Sequence, residues 1–282
     1  MAAPAVGLLF IVTIVPLLFS LGVSLTNLQY GTPAPLAFEG LGNYVRALTA
    51  DSRFINAMLN TAILLFGGLA LQITLGYLIA SLLFRLERGR TLILSLLLIP
   101  SIVSQVVAGW QGRLIFNATS GPLNALLTMI GIDGPSWLAT TDTALLTILL
   151  TDTWQWTPFM TLIMLAALQG IPQDILEAAT LDGAYGWSLF RLVILPLILP
   201  IAAIGILLRS VDIFKTFDLV YILTQGGPGN SSETLTYYTY LQGFKFFSPG
   251  YAAALTFIQL IIVVIAAKLF LRFVARQTGQ EK

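Results

Sequence analysis

Glu177-Ala178-Ala179, Gly183 and Leu195-Pro196 fall in a polar interruption between two long apolar stretches. A carboxylate, small residues and a glycine at this spacing make a short helix that a second protein can grip. They do not make a bond-breaking site. A second group, Asp152, Arg209, Asp212 and Lys215, puts ionisable side chains inside apolar stretches. Each costs about 2.5–3.5 kcal/mol to insert into a bilayer, so such groups face a cavity or a partner. The chain has no His and no Cys. That removes imidazole bases, disulfides, thiol chemistry and the commonest zinc ligands. No metal or cofactor site is expected. A membrane-embedded enzyme is a disfavoured alternative: carboxylates alone can run hydrolysis, but no tight carboxylate cluster is present.

The elements that position these residues are apolar helices. Of 282 residues, 57% are hydrophobic and only 10% charged, where a soluble domain carries about 25% charged residues. With a mean hydropathy of +0.88, the chain belongs in a lipid membrane. A net charge of +1 gives no argument for nucleic acid. A span needs roughly 20 apolar residues, and six segments qualify, at about 5–25, 61–84, 91–110, 144–168, 193–223 and 251–273. The first has no basic start and no small-residue cleavage site before Tyr30, so it reads as a span and not a leader. Residues 1–282 read as a single transmembrane domain, with a cytoplasmic loop at about 169–192.

Orientation follows from Lys and Arg in the loops. Arg85, Arg88, Arg90, Arg191, Lys268, Arg272, Arg276 and Lys282 fall on one side, against Arg46, Arg53, Arg113 and Lys245 on the other. The richer side is cytoplasmic, which places both termini and the Glu177 loop inside. Loops at about 26–56, 111–141 and 225–249 face outward, with turn chemistry such as Gly226-Gly-Pro228.

The stretch Ile171–Gly183 is expected to be a short helix. Pro172 suits a first turn, Asp174 complements the positive end of the dipole, and Gly183 can take the left-handed stop. Ile175, Ala178, Ala179 and Asp182 are expected to share a face that another surface approaches closely. The plain alternative is an amphipathic connector lying on the membrane.

The spacing favours the sharper reading. Glu177-Ala-Ala, three residues, Gly183, nine residues, then Val193-Ile-Leu-Pro196 resembles the signature of permease subunits in binding-protein-dependent ATP-binding-cassette importers. Val193 alone departs, standing where that family usually has Ile. Leu41-Gly-Asn-Tyr44, Trp154-Gln-Trp-Thr-Pro-Phe159 and Phe217-Asp-Leu-Val-Tyr-Ile-Leu-Thr-Gln-Gly-Gly-Pro228 look like the maltose-type carbohydrate group, and the Gly-Gly-Pro turn like the first of its two permeases.

The resemblance implies an all-α, six-span type I importer permease fold in a bacterial cytoplasmic (inner) membrane. It implies a second homologous permease, two ATPase subunits and an extracytoplasmic solute-binding protein as partners. It also implies that Glu177 anchors the loop helix in a cleft of an ATPase while Gly183 shapes the turn. The cargo would be a sugar, oligosaccharide or polyol. The chain has no GxxxxGK[ST] phosphate loop, so ATP hydrolysis belongs to other chains.

Asn60, Gln105, Asp152, Trp154, Trp156, Arg209, Asp212 and Lys215 are the candidates for the substrate path. Arg209 with Asp212, Asp212 with Lys215, and Lys215 with Asp218 are spaced to pair on one helix face, which is also what purely structural ion pairs would do. Trp154 and Trp156 point to different sides of a helix, so at most one lines the path. Gln72 and Gln259 are polar too, and each of these amides alternatively bridges helices for roughly 0.6 kcal/mol. Pro158 and Gly67-Gly68 allow bending or close packing. The Gly226–Gly229 turn and Tyr237, Tyr238 and Tyr240 are candidates for the binding-protein contact. The rival class is a self-sufficient secondary transporter in which Asp152 and Asp212 relay a coupling ion.

Overall fold

Helices account for every regular element among the described residues, 3–33 and 35–277 of the computed structural model. Lys282, counted above among the cytoplasmic charges, lies outside them. The helices are α1 (Ala3–Ser24), α2 (Gly42–Thr49), α3 (Ser52–Arg85), α4 (Arg90–Ile102), α5 (Gln105–Ile115), α6 (Pro122–Met129), α7 (Thr141–Gln169), α8 (Gln173–Leu181), α9 (Gly186–Leu189), α10 (Leu195–Phe214), α11 (Asp218–Leu223), α12 (Leu235–Tyr240) and α13 (Pro249–Gln277). Four stretches are long and apolar enough to cross a membrane: Val6–Ser24, Ser52–Arg85, Gly186–Phe214 and Pro249–Arg276. Two bent pairs, α4 with α5 and α7 with α8, raise the number to six if each pair is one span.

Helix α7 is the axis of the bundle. It carries Asp152, Gln155 and a run of threonines, which would be costly against lipid, and these residues are buried by the other helices. Helices α3 and α7 run parallel: Gly67 faces Leu149, Gln72 meets Asp152, and Gly76 faces Met160. Helix α10 runs antiparallel to both, with Ile213 against Gly68 and Gly205 against Ile163. The glycine pair of α3 thus serves close packing. One apolar core joins Ala80, Leu83, Met164, Leu168 and Ile198, and a second joins Leu64, Ile148, Ile213 and Leu223.

Two segments expected as single spans are broken, each for a visible reason. The 91–110 segment bends by 95° between α4 and α5. Pro100 sits in the last turn of α4, and Ser104 caps the first turn of α5 through the Val107 N–H. The carbonyl freed at Val103 accepts from Gln155 Nε2 at 2.8 Å, and Ser101 Oγ donates to the Gln155 carbonyl at 2.8 Å. The 193–223 segment starts earlier, at Gly186, and its helix stops at Phe214 before α11. Its entry is a π-helical turn, Phe190–Ile194, directly before Pro196 and Pro200. Neither proline can donate to the helix ladder, and the wider turn absorbs the mismatch.

At the end of the bundle remote from α8, one face of α3 grips the loop before α12. Arg53 donates to both Glu233 carboxylate oxygens, Asn56 Nδ2 donates to the Asn230 carbonyl, Asn60 Nδ2 to the Glu233 carbonyl, and Thr61 Oγ1 accepts from the Leu235 N–H. Gly226 is required here: at φ +77° it lies so close to Glu233 and Tyr237 that a Cβ would overlap both side chains. Asp51 caps α3 through the Phe54 N–H at 2.9 Å and accepts from the hydroxyls of Tyr238 and Tyr251. Tyr237 and Tyr238 are therefore buried, which removes both as surface contacts for a binding protein.

Glu233→Ala is expected to cost about 1–3 kcal/mol, less than a fully buried pair because Arg53 is partly exposed. Thermal unfolding in detergent checks it. Burial raises the Asp51 carboxyl pKa, but the tyrosine hydroxyls, the Phe54 N–H and the Arg46 charge outweigh it and hold the value below normal. A depressed folded-state value gives stability that is present above the unfolded value of about 4 and lost as pH falls through the folded one. The melting temperature of Asp51→Asn should therefore change less than wild type on going from pH 6 to pH 3.

Candidate functional site

Helix α8 leaves the end of α7 at a 75° bend. Pro172 precedes its first turn in an extended conformation, and Asp174 lies in that turn. The helix stops where Gly183 takes φ +82°, with the Ala184 N–H returning to the Ala179 carbonyl at 2.9 Å. Asp182, exposed, caps the C-terminus. The expected shared face divides: Ala179 is buried and Leu176 packs on the core, while Asp174, Glu177, Ala178 and Leu181 form the outward stripe. Ile175 is 40% exposed and Leu181 is 89% exposed. A leucine left this bare beside two carboxylates on a rigid helix is suited to a protein groove. Leu195 and Pro196 open α10 beyond the π-helical turn and are exposed. Arg85, Arg88 and Arg90 end α3 and start α4 at the same end of the bundle, because α3 and α7 are parallel.

The polar residues inside the bundle gather around Arg209, whose side chain is wholly buried. Its Nη2 donates to Asp152 Oδ2 at 2.8 Å and its Nε to Gln72 Oε1 at 3.0 Å; Gln72 Nε2 donates to the same Asp152 oxygen at 2.8 Å. Its guanidinium lies 4.6 Å from the Trp156 ring centroid. Each of α3, α7 and α10 contributes, so the cluster pins their mutual register. The pairing corrects the local expectation: Arg209 reaches across to α7 and not along α10 to Asp212. Asp212 pairs instead with Lys215 at 3.1 Å, where both are more open. Asp152 Oδ1, Arg209 Nη1 and Trp156 Nε1 have no hydrogen-bond partner among the described residues. Asp152 also borders a cavity of about 10 Å³, room for roughly one water.

The other candidates are dispersed. Trp154 is 44% exposed on another side of α7 and lines a separate apolar hollow with Leu123 and Phe116. Of the two tryptophans, Trp156 is the one beside the polar cluster. Asn60 is committed to the loop before α12. Gln105 begins α5 just after the break. Gln259 donates to Thr239 Oγ1, tying α13 to α12. The sequence suggests a simple helix bridge for Gln72 and a cargo-facing amide for Gln155, whereas Gln72 joins the buried cluster and Gln155 serves the α4–α5 break. Their apolar surroundings gave the only available signal: an amide inside a span needs a polar partner.

Arg209→Met or Asp152→Leu alone should destabilise the protein by about 3–5 kcal/mol, by stranding the other charge. The double variant should recover most of that loss in thermal unfolding. Single variants that melt like wild type would mean the pair carries little of the register.

The sequence profile of the family described as binding-protein-dependent transport system inner membrane component matches residues 72–278. The chain is 38% identical over 271 residues to a probable ABC transporter permease protein of Sinorhizobium fredii, covering 95% of this chain and 87% of that one. It is 30% identical over 276 residues to the trehalose/maltose transport system permease protein MalF of Thermococcus litoralis, covering 96% and 91%. A chain of the bacterial alginate ABC transporter, solved with an alginate pentasaccharide-bound periplasmic protein, superposes with a TM-score of 0.82. It covers 99% of this chain and 93% of that one at 19% identity, a likeness of fold. The matched region runs from Gln72, in the buried cluster, through α8 and into the end of α13, and on that extent the chain belongs to the family of binding-protein-dependent transport system inner membrane components.

Proposed function

We propose that this chain is one permease subunit of an ATP-binding-cassette importer that carries a sugar, oligosaccharide or polyol across the cytoplasmic membrane. It acts with a second homologous permease, two ATPase subunits and an extracytoplasmic binding protein. It is one transmembrane domain with both termini cytoplasmic and performs no covalent chemistry. The observation that carries this reading is α8: a capped helix at the end of the core's central helix, with Glu177, Ala178 and the bare Leu181 turned outward. Relatives whose names specify trehalose, maltose or lactose transport support the cargo class.

Two parts of the site have different tasks. Glu177, Ala178, Ala179, Asp182 and Gly183 form the ATPase contact and its scaffold, and Leu195-Pro196 starts the helix that follows it. Trp156, Asp212 and Lys215 offer the path an aromatic face, a carboxylate and an ammonium. Asp152, Arg209 and Gln72 lie behind them, and Arg209 holds the Trp156 ring in place. ATP-driven closure of the motor favours one arrangement of the permease pair through differential contact with α8.

Reconstitution with the motor, the partner permease and the binding protein tests the proposal. Uptake of a labelled disaccharide should require ATP and the binding protein. Glu177→Lys and Leu181→Asp should each cut ATPase co-purification by roughly tenfold or more, the loss expected for a buried contact centre. Uptake that survives ATP depletion and collapses with an uncoupler would overturn the proposal in favour of an ion-coupled transporter.

A further inference from the structure

The chain closes its outer end with a file of aromatic rings that the cluster around Arg209 does not use. Phe217 stacks on Tyr221 at 5.5 Å and meets Tyr240 edge-on at 5.0 Å; Tyr221 and Tyr240 stand 6.0 Å apart; Tyr240 stacks on Phe244 at 5.3 Å. Three separate elements supply them. Phe217 precedes α11, Tyr221 lies on it, Tyr240 ends α12, and Phe244 sits in the π-helical turn Leu241–Lys245. Leu219, Val220, Leu223 and Tyr237 are buried behind the file. The rings in front are open, Tyr221 at 39% and Phe244 at 71%. One end of the file follows directly on Asp212 and Lys215 in the chain. The other opens into a hollow of about 560 Å³ whose lining includes Tyr30, Tyr240, Phe244 and Phe247 together with Ser20, Thr239 and Thr256.

We infer that this file is a stacking platform for the pyranose rings of an oligosaccharide, leading from the outer mouth to the polar residues of α10. The inference rests on the carbohydrate cargo proposed above. Pyranose rings present apolar C–H faces to aromatic planes and hydroxyls at their edges. Tyr221 and Phe244, the open rings of the file, offer stacking faces, and the Tyr221 and Tyr240 phenols offer hydrogen bonds beside them. Lipid-interface tyrosines need only stand at the headgroup level, with no requirement for ring-on-ring registry.

The test uses the complete transporter in liposomes, with maltose and longer maltodextrins as probes. Tyr221→Leu, Tyr240→Leu and Phe244→Leu should each raise the KM for uptake, roughly twofold to tenfold per ring, and more for the longer sugar. Tyr221→Phe and Phe244→Tyr, which keep a ring at each position, should raise KM less than the leucine variants, and ATPase stimulation by the binding protein should be unchanged in all five. Wild-type uptake with unchanged KM in the leucine variants overturns the platform alone. A wild-type transporter that moves no carbohydrate overturns the cargo reading and the platform with it. Loss of binding-protein stimulation in the leucine variants would make the file a protein contact and also overturn the platform.

Discussion

An arginine without solvent exposure in a membrane-spanning bundle is the constraint from which the rest of this structure follows. Arg209 can be charged there only if a carboxylate and further acceptors meet it, and Asp152 and Gln72 do so from two other helices. Removing α7 or α10 strands a charge in a medium that cannot solvate it, and removing α3 takes away the amide that bridges the pair. The cluster therefore does more than add a contact. It makes assembly of α3, α7 and α10 a condition for inserting any of them cheaply. It also explains why α7 is the least apolar of the long helices and the most enclosed.

The same constraint gives the chain a rigid lever. Between Asp152 and the end of α7 lie about 17 residues of continuous helix with Pro158 inside it, roughly 25 Å. At the far end α8 turns off, with its apolar base packed on the core and its other side bare. A force applied to the bare side passes through the α7–α8 bend and along α7 to the level of the cluster. Further departures from regular helix lie in the break between α4 and α5 and in the π-helical turn entering α10. Gln155 supplies the break with a hydrogen-bond partner, so even that departure from regular helix leaves its exposed carbonyl satisfied. On the function proposed here, the three clamped helices move as one body and the permease pair rocks around the path.

What the sequence made legible was what is local in the chain. The stop at Gly183, the acidic first turn of α8 and the apolar lengths of α1, α3 and α13 depend on neighbours within a few residues. Pro100 and Ser104 also carried a local signal for the broken α4–α5 pair, which the apolar run between them masked. The partner of Arg209 was not legible, because Asp212 stands close along α10 while Asp152 comes from another helix. The bond between Arg53 and Glu233 spans 180 positions and left no trace in spacing. The face of α8 was misjudged at Ala179: helical periodicity says which residues share a side, but the packing of Leu176 decides which side is inward. Trp154 and Trp156 were separable in direction from the sequence, and only the position of Arg209 told them apart in role.

The central claim is that the buried cluster locks α3, α7 and α10 into one body driven from α8. The chain has no cysteine, so spin labels at Gln173→Cys on α8 and Ile204→Cys on α10 report one distance by pulsed electron resonance. In the assembled transporter that distance should keep a single narrow distribution with and without ATP. A shift of several ångströms, roughly one helical turn of slippage, would show α10 sliding past α7. It would contradict the account.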